Sequence, residues 1–321
     1  MKGVIKVVER FYILILLIIC IVFFSIFARN FFTWNNLVNI LVQNSYLIIA
    51  TIGIAMIMIS SGADLSVSFQ IGIVSIVLGK LLTKSNVPVV LALIIALALG
   101  ALLGSINGFC AIKLKVHPMV ATMATMTIYQ GIAYVWSNSE TYFSFPEAFK
   151  KIGQGKLFGQ IPICVIIMIV CVIIGWFLMN KTYFGRFIYS IGGNEEATRL
   201  AGINTKRVRM LIFLTAGIFV GISAIVLTSR TGSASAGIAS DAMFSCFTAC
   251  ILGGISFSGG GGNVLSVILS VLIIGVLSNG IQMMGGSIYV QYIVKGILLV
   301  GAIAYDNFQK NLRLKENAKA V

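Results

Sequence analysis

Charge is scarce in this 321-residue chain: 10% of it is Asp, Glu, Lys or Arg, and only nine residues are acidic. A soluble domain carries roughly a quarter charged residues. Hydrophobic residues make up 59%, and mean hydropathy is +1.02. Such a chain cannot cover itself with polar surface, so most of its solvent must be lipid. Histidine occurs once, at His117, which excludes a multi-histidine metal site. The six cysteines (Cys20, Cys110, Cys164, Cys171, Cys246 and Cys250) lie in apolar runs and form no CxxC pair. They read as small core hydrophobes, neither disulfides nor metal ligands. A phosphate-binding G-x-x-x-x-G-K-[ST] loop is missing, since Gly79-Lys80 and Gly155-Lys156 are each followed by Leu. The chain therefore has no P-loop of its own for ATP. HExxH and GxSxG are absent too. No catalytic residue, metal or cofactor is expected.

Apolar runs dominate what is present. Ten stretches read as spans: 11–28, 37–59, 65–82, 87–112, 116–136, 161–180, 210–228, 242–256, 264–284 and 288–305. The first follows Lys2, Lys6 and Arg10 and resembles a signal peptide, but no small-x-small cleavage site follows, so it reads as a span. The runs 65–82 and 242–256 fall short of the roughly 20 residues a full crossing needs, which predicts tilted, broken or re-entrant segments. The formal charge of +14 reads as a topology signal, with no nucleic acid implied. With both termini inside, the inner connections carry fifteen basic residues: three before the first run, Lys113, Lys115, six in 181–209 and four in the tail 306–321. The outer ones carry seven: Arg29, Lys80, Lys84, Lys150, Lys151, Lys156 and Arg230. This agrees with the positive-inside rule. The reading is one polytopic domain over 1–321, with an outer loop at 137–160 and an inner loop at 181–209.

The inner loop is too polar to enter lipid, and its stretch NEEATRLAG (194–202) predicts a short helix. Asn194 is a good N-cap, Glu195 and Glu196 sit in the first turn, Ala197, Leu200 and Ala201 share a face, and Gly202 is a stop. Two Asn-Gly pairs, Asn107-Gly108 and Asn279-Gly280, stand 172 residues and five spans apart. They hint at an inverted repeat of the kind common in transporters. SGGGG (258–262) reads as a flexible connection or a close helix contact. Asp64, between two apolar runs, either caps a helix starting near Leu65 or faces a water-filled path. Lys295, within the last span, either snorkels or pairs.

Six stretches occur in order: NFFTWNNLVNIL (30–41), SGADLSVS (61–68), VHPMVATMATMTIYQGIAYV (116–135), YSIGGNEEATRLAGI (189–203), ILGGISFSGGGG (251–262) and YVQYIVKGILL (289–299). Together they resemble the membrane permeases of ribose-type sugar ABC importers, across nearly the whole chain. The resemblance implies an all-α integral membrane protein of about ten helices, similar to type II ABC importer permeases, in a bacterial plasma membrane. It implies two permease copies, alike or related, two cytoplasmic ABC ATPase subunits and an extracytoplasmic solute-binding protein. It gives 194–202 the role of the element that docks on the ATPase. The chain departs from the family pattern at Ser61 and Ser68, usually Gly, and at Met243 and Ser245, usually an acidic pair, with Asp241 nearby but out of register.

A polar solute needs hydrogen-bonding groups in an apolar corridor. Polarity alone nominates Asn44, Tyr46, Asp64, Gln70, Asn107 and Asn279 as path residues, each weighed against an interhelical hydrogen bond. The main expectation is sugar import by alternating access. The alternatives are a permease for nucleosides or branched-chain amino acids, and a stand-alone secondary transporter, for which one intramembrane Asp and one Lys offer little as a coupling-ion site.

Overall fold

The computed structural model describes residues 2–256 and 258–319, with side chains from 12 to 304 except 257. Helices and their caps account for nearly all of the regular structure. They are α1 (Lys2–Phe27), α2 (Trp34–Ile59), α3 (Val67–Gly79, continued by a π-helical turn Lys80–Lys84), α4 (Val89–Ile112) and α5 (Pro118–Ser137). Next come α6 (Glu147–Gln154), a two-residue hairpin β1 (Lys156–Leu157) and β2 (Ile161–Pro162), α7 (Ile163–Lys181), α8 (Tyr183–Gly193) and α9 (Glu195–Leu200). The chain ends with α10 (Thr205–Thr231), α11 (Ala242–Leu252), α12 (Val264–Met283) and α13 (Ile288–Lys319). Among the described residues, six helices are long and apolar enough to cross a membrane, and shorter apolar helical stretches cover 12–27, 242–252 and 288–304. Each of the ten expected spans contains a helix.

Of the two short runs, 65–82 is longer than expected: with its π-helical turn it extends to Lys84, and Val67–Lys84 is one of the six helices long and apolar enough to cross. The run 242–256 is short, as expected. α11 has 11 residues, about 16 Å of helix against a roughly 30 Å hydrocarbon core. The stretch 232–241 before it has no regular structure; within it Ala234 pairs with Tyr142 of the loop 137–160, and Ser240 bonds to Ser68 on α3. Three expectations need refinement. The outer loop 137–160 holds α6 and half the hairpin. The inner loop 181–209 holds a second helix, α8, which Thr182 caps by accepting from the Gly185 amide. The expected tail 306–319 continues α13 as helix.

Helix α2 is buried almost without interruption from Leu47 to Ser60, and every residue of α3 is buried. These two helices form the centre. Around them, α10 packs against both α2 and α4, and α1 lies outermost against α12. The α4–α10 contact is backbone to backbone. A Cβ on Gly217 would lie 2.2 Å from Gly100 O, and one on Gly104 would lie 2.3 Å from Phe213 O. The sequences GALLG (100–104) and GIFVG (217–221) are small-xxx-small patterns that let helices meet this closely in lipid. The two Asn-Gly pairs do matching jobs. The glycines seat aromatic side chains, Phe213 over Gly108 and Phe24 over Gly280, while each asparagine bonds to a neighbouring helix, Asn107 to Tyr129 of α5 and Asn279 to Asn36 of α2.

Candidate functional site

The inner-loop helix forms as its sequence predicts, over Glu195–Leu200. Asn194 Oδ1 accepts from the Ala197 amide at 2.9 Å, and Gly202 closes the turn with φ +85°. Thr198 faces inward, buried, with its hydroxyl 2.9 Å from that of Ser190 on α8. Ala197, Leu200 and Ala201 face outward, and Leu200 is 78% exposed. Glu196 pairs with Arg199 on the same helix, and Glu195 reaches Arg209 on α10 at 3.0 Å. One acid therefore ties the short helix to the body.

The root of this segment is fastened. Ser61, in left-handed backbone (φ +59°), donates to Gly192 O or Ser258 O, 3.1 and 2.7 Å away. The Gly260 amide donates to Ile59 O, and Tyr189 donates to Gly262 O. A Cβ on Gly192 would lie 1.8 Å from Ile59 O. The SGGGG stretch is thus a close helix contact, where the end of α2, the end of α8 and the link to α12 share one junction.

Asp64 is the centre of a second cluster. The first helical residue after it is Val67, two later than expected, so its carboxylate closes a turn ahead of the helix. Oδ1 accepts from the Ser66 amide (2.9 Å) and hydroxyl (2.7 Å); Oδ2 accepts from Gln70 Nε2 (2.8 Å) and Asn107 Nδ2 (3.1 Å). Asn107 also donates to Ser66 Oγ at 2.7 Å, and Tyr129 from α5 lies 3.1 Å from Asn107 Oδ1. The network joins the α2–α3 turn, α4 and α5, and Asp64, Gln70 and Asn107 are at most 2% exposed. Asn279 and Asn36 exchange reciprocal amide bonds at 2.9 and 3.1 Å between α12 and α2. Asn44 donates to Ile40 O, one turn back, and packs on Gly275. Tyr46 is half-buried, and its backbone carbonyl accepts from Ser223 of α10. Asp64, Gln70, Asn107 and Asn279, then, each bond to a neighbouring residue.

Lys295 does pair. Its Nζ is 2.8 Å from Asp241 Oδ2, with side-chain exposures of 15% and 36%. Sequence reasoning missed Asp241 because nothing in the chain marks a residue 54 positions away as its partner. The structure reveals it by bringing α11 against α13. Among the described residues, no group of three His, Cys, Asp or Glu side chains gathers as a metal site, and all six cysteines are free.

Comparison with known proteins agrees with this architecture. Residues 36–303 match the family described as branched-chain amino acid transport system / permease component. The ribose import permease of Escherichia coli (strain K12) is 34% identical over 298 residues, 92% of each chain. The ribose import permease of Bacillus subtilis (strain 168) is 35% identical over 292 residues, 90% of each. The galactose/methyl galactoside import permease of Escherichia coli (strain K12) is 32% identical over 315 residues, 93% of each. No solved structure matches. With the match running from α2 into α13, the chain belongs to this permease family.

Proposed function

We propose that the chain is the membrane permease subunit of an ATP-driven importer and carries a sugar or similar small polar solute delivered by an extracytoplasmic binding protein. ATP hydrolysis falls to a partner ATPase, and a second permease copy completes the path. Both termini and the loop 181–209 lie on the cytoplasmic side, in keeping with the basic residues gathered there. Its likeness to ribose and galactose import permeases supports the solute class.

The observation that carries the reading is the geometry of α9. Thr198 and Glu195 anchor it to α8 and α10, while Ala197, Leu200 and Ala201 point away from the protein. A leucine 78% exposed on a polar loop gains burial only from a partner, and two alanines beside it permit close approach. Closure of the ATPases pushes α9. The shared Ser61–Gly192–Ser258 junction passes that push to the ends of α2 and α12, and alternating access follows.

Ala197→Arg tests this. The expected result is a permease that inserts normally but neither co-purifies with its ATPase nor stimulates ATP hydrolysis. Parental assembly and uptake in that variant would show that the loop is not the transmission.

A further inference from the structure

We propose that Asp241 and Lys295 are the polar contact that a solute meets part-way across the membrane, a carboxylate–ammonium pair suited to a neutral, polyhydroxylated molecule. The proposal rests on the importer reading above and places the solute site within it.

Depth comes first. Lys295 lies seven residues into α13 from Ile288, about 10 Å along the helix from its outer end. Asp241 stands at the start of the half-helix α11, reached by the irregular stretch 232–241. Irregular backbone at membrane depth is tolerated where it is buried in protein or lines a water-filled cavity. Broken helices of this kind carry the substrate sites of many transporters.

Capping argues against a purely local role for Asp241. An Asp at a helix N-cap ordinarily accepts from the first-turn amides. Asp241 does not: no side-chain bond caps α11 from it. The Met243 amide is taken by Ser68 Oγ at 2.9 Å, which also lies 3.4 Å from Ser240 O. Ser68 caps the helix from α3, and the Asp241 carboxylate is free to turn toward Lys295.

Exposure then decides what the pair faces. More than a third of the Asp241 side chain is open. A charged group does not face lipid at this depth; it faces water, a bundle interior or another polar group. Ser240 beside it is exposed, and the Tyr134 hydroxyl of α5 lies close to Gly237 on the same re-entrant stretch. Farther along α13, toward the inner loop, Leu299 and Ile303 border a crevice of about 130 Å³ with Leu65, Met119, Phe244 and Phe247. A polar step therefore stands above an apolar narrowing.

The chemistry selects the solute. The pair has no net charge, so an anion drawn to Lys295 is repelled by Asp241, and the reverse holds for a cation. A vicinal diol satisfies both at once, donating one hydroxyl to the carboxylate and accepting from the ammonium with the other.

The test uses the whole importer with its ATPase and binding protein, in two arms. In the first, Asp241→Cys, Lys295→Cys and Ile297→Cys are treated with a membrane-impermeant thiosulfonate, with the parent as baseline. Ile297 is 66% exposed on α13 and serves as the lipid-facing control. Labelling at 241 and 295 at least tenfold faster than at 297 is expected. In the second arm, uptake of radiolabelled D-ribose and D-galactose is measured for Asp241→Asn, Lys295→Gln and the double variant. Uptake of the carried sugar is expected to fall at least tenfold in all three, while the complex co-purifies at parental yield. Labelling at 241 no faster than at 297, or double-variant uptake within twofold of the parent, overturns the proposal. A parent that carries neither sugar overturns the solute class, and the labelling arm then decides the pair's access to water by itself. A failed ATPase association in the parent marks instead the failure of the importer reading.

Discussion

Adding one methyl group at Gly217 tests how the α4–α10 contact is held. The new Cβ would lie 2.2 Å from Gly100 O and 3.1 Å from Gly104 Cα, both backbone atoms. A carbon–oxygen contact needs about 1 Å more, and no side-chain rotation can supply it. The helices must therefore part by about 1 Å, and a gap of that size forfeits a quarter to a half of each dispersion contact along the seam. Overpacking of this kind costs about 1–3 kcal/mol. Because backbone is the obstacle, the upper half of that range is expected for Gly217→Ala. Two controls grade the effect. At Gly221 the nearest atom is Ala96 O at 3.2 Å, so Gly221→Ala should cost less than about 1 kcal/mol. At Gly131 nothing lies within 4 Å, and better helix propensity makes Gly131→Ala neutral or stabilising by up to about 1 kcal/mol. Thermal unfolding of the detergent-purified chain reads all three. A Gly217→Ala protein that melts with Gly131→Ala would refute the argument, since close backbone contact would then not be limiting.

Asp64→Asn replaces an acceptor of four donors with an amide whose NH₂ faces other donors, Gln70 and Asn107 on one side or Ser66 on the other. A loss of about 1–3 kcal/mol in thermal stability is expected, and an unchanged melting temperature would count against the network. Asn279→Leu removes the partner of Asn36 Oδ1 and leaves Asn36 Nδ2 with Phe31 O alone, and should cost a similar amount, whereas pairing it with Asn36→Leu should recover part of the loss if the reciprocal bond is the cause. Ser61→Gly relieves a left-handed backbone worth about 1–2 kcal/mol but removes the hydroxyl that ties Gly192 and Ser258. Its stability should stay within about 1 kcal/mol of the parent while amide exchange across 190–202 quickens. Unchanged exchange there would remove Ser61 from the junction. For topology, an impermeant thiol reagent should reach a cysteine placed at 150 from outside intact cells and should not reach one at 313; equal labelling defeats the orientation.

Composition and hydropathy were enough to fix the solvent, the helix in every apolar run and the short segment 242–256, because transfer to lipid is a sum over consecutive residues; the full length of the helix after Asp64, which the π-helical turn extends to Lys84, was not legible. The α9 helix was legible for the same local reason: Asn194, the two first-turn acids and Gly202 act within their own turn. Its companion α8 was not, since YFGRFIYSIGG (183–193) carries three glycines and is held by contacts with Ile59 and Gly260, far away in the chain. GALLG and GIFVG stood in the sequence, but only packing shows that they face each other, 117 residues apart. The polar residues divide in the same way. Sequence marked Asp64, Gln70, Asn107 and Asn279 as polar groups in apolar surroundings, and the tertiary structure decided which neighbours they bond to. It also decided that Lys295 meets Asp241, which turns outward because Ser68, on another helix, caps in its place. A buried charge needs a partner, and sequence states the need, whereas the partner is chosen by which helices the fold brings within 3 Å.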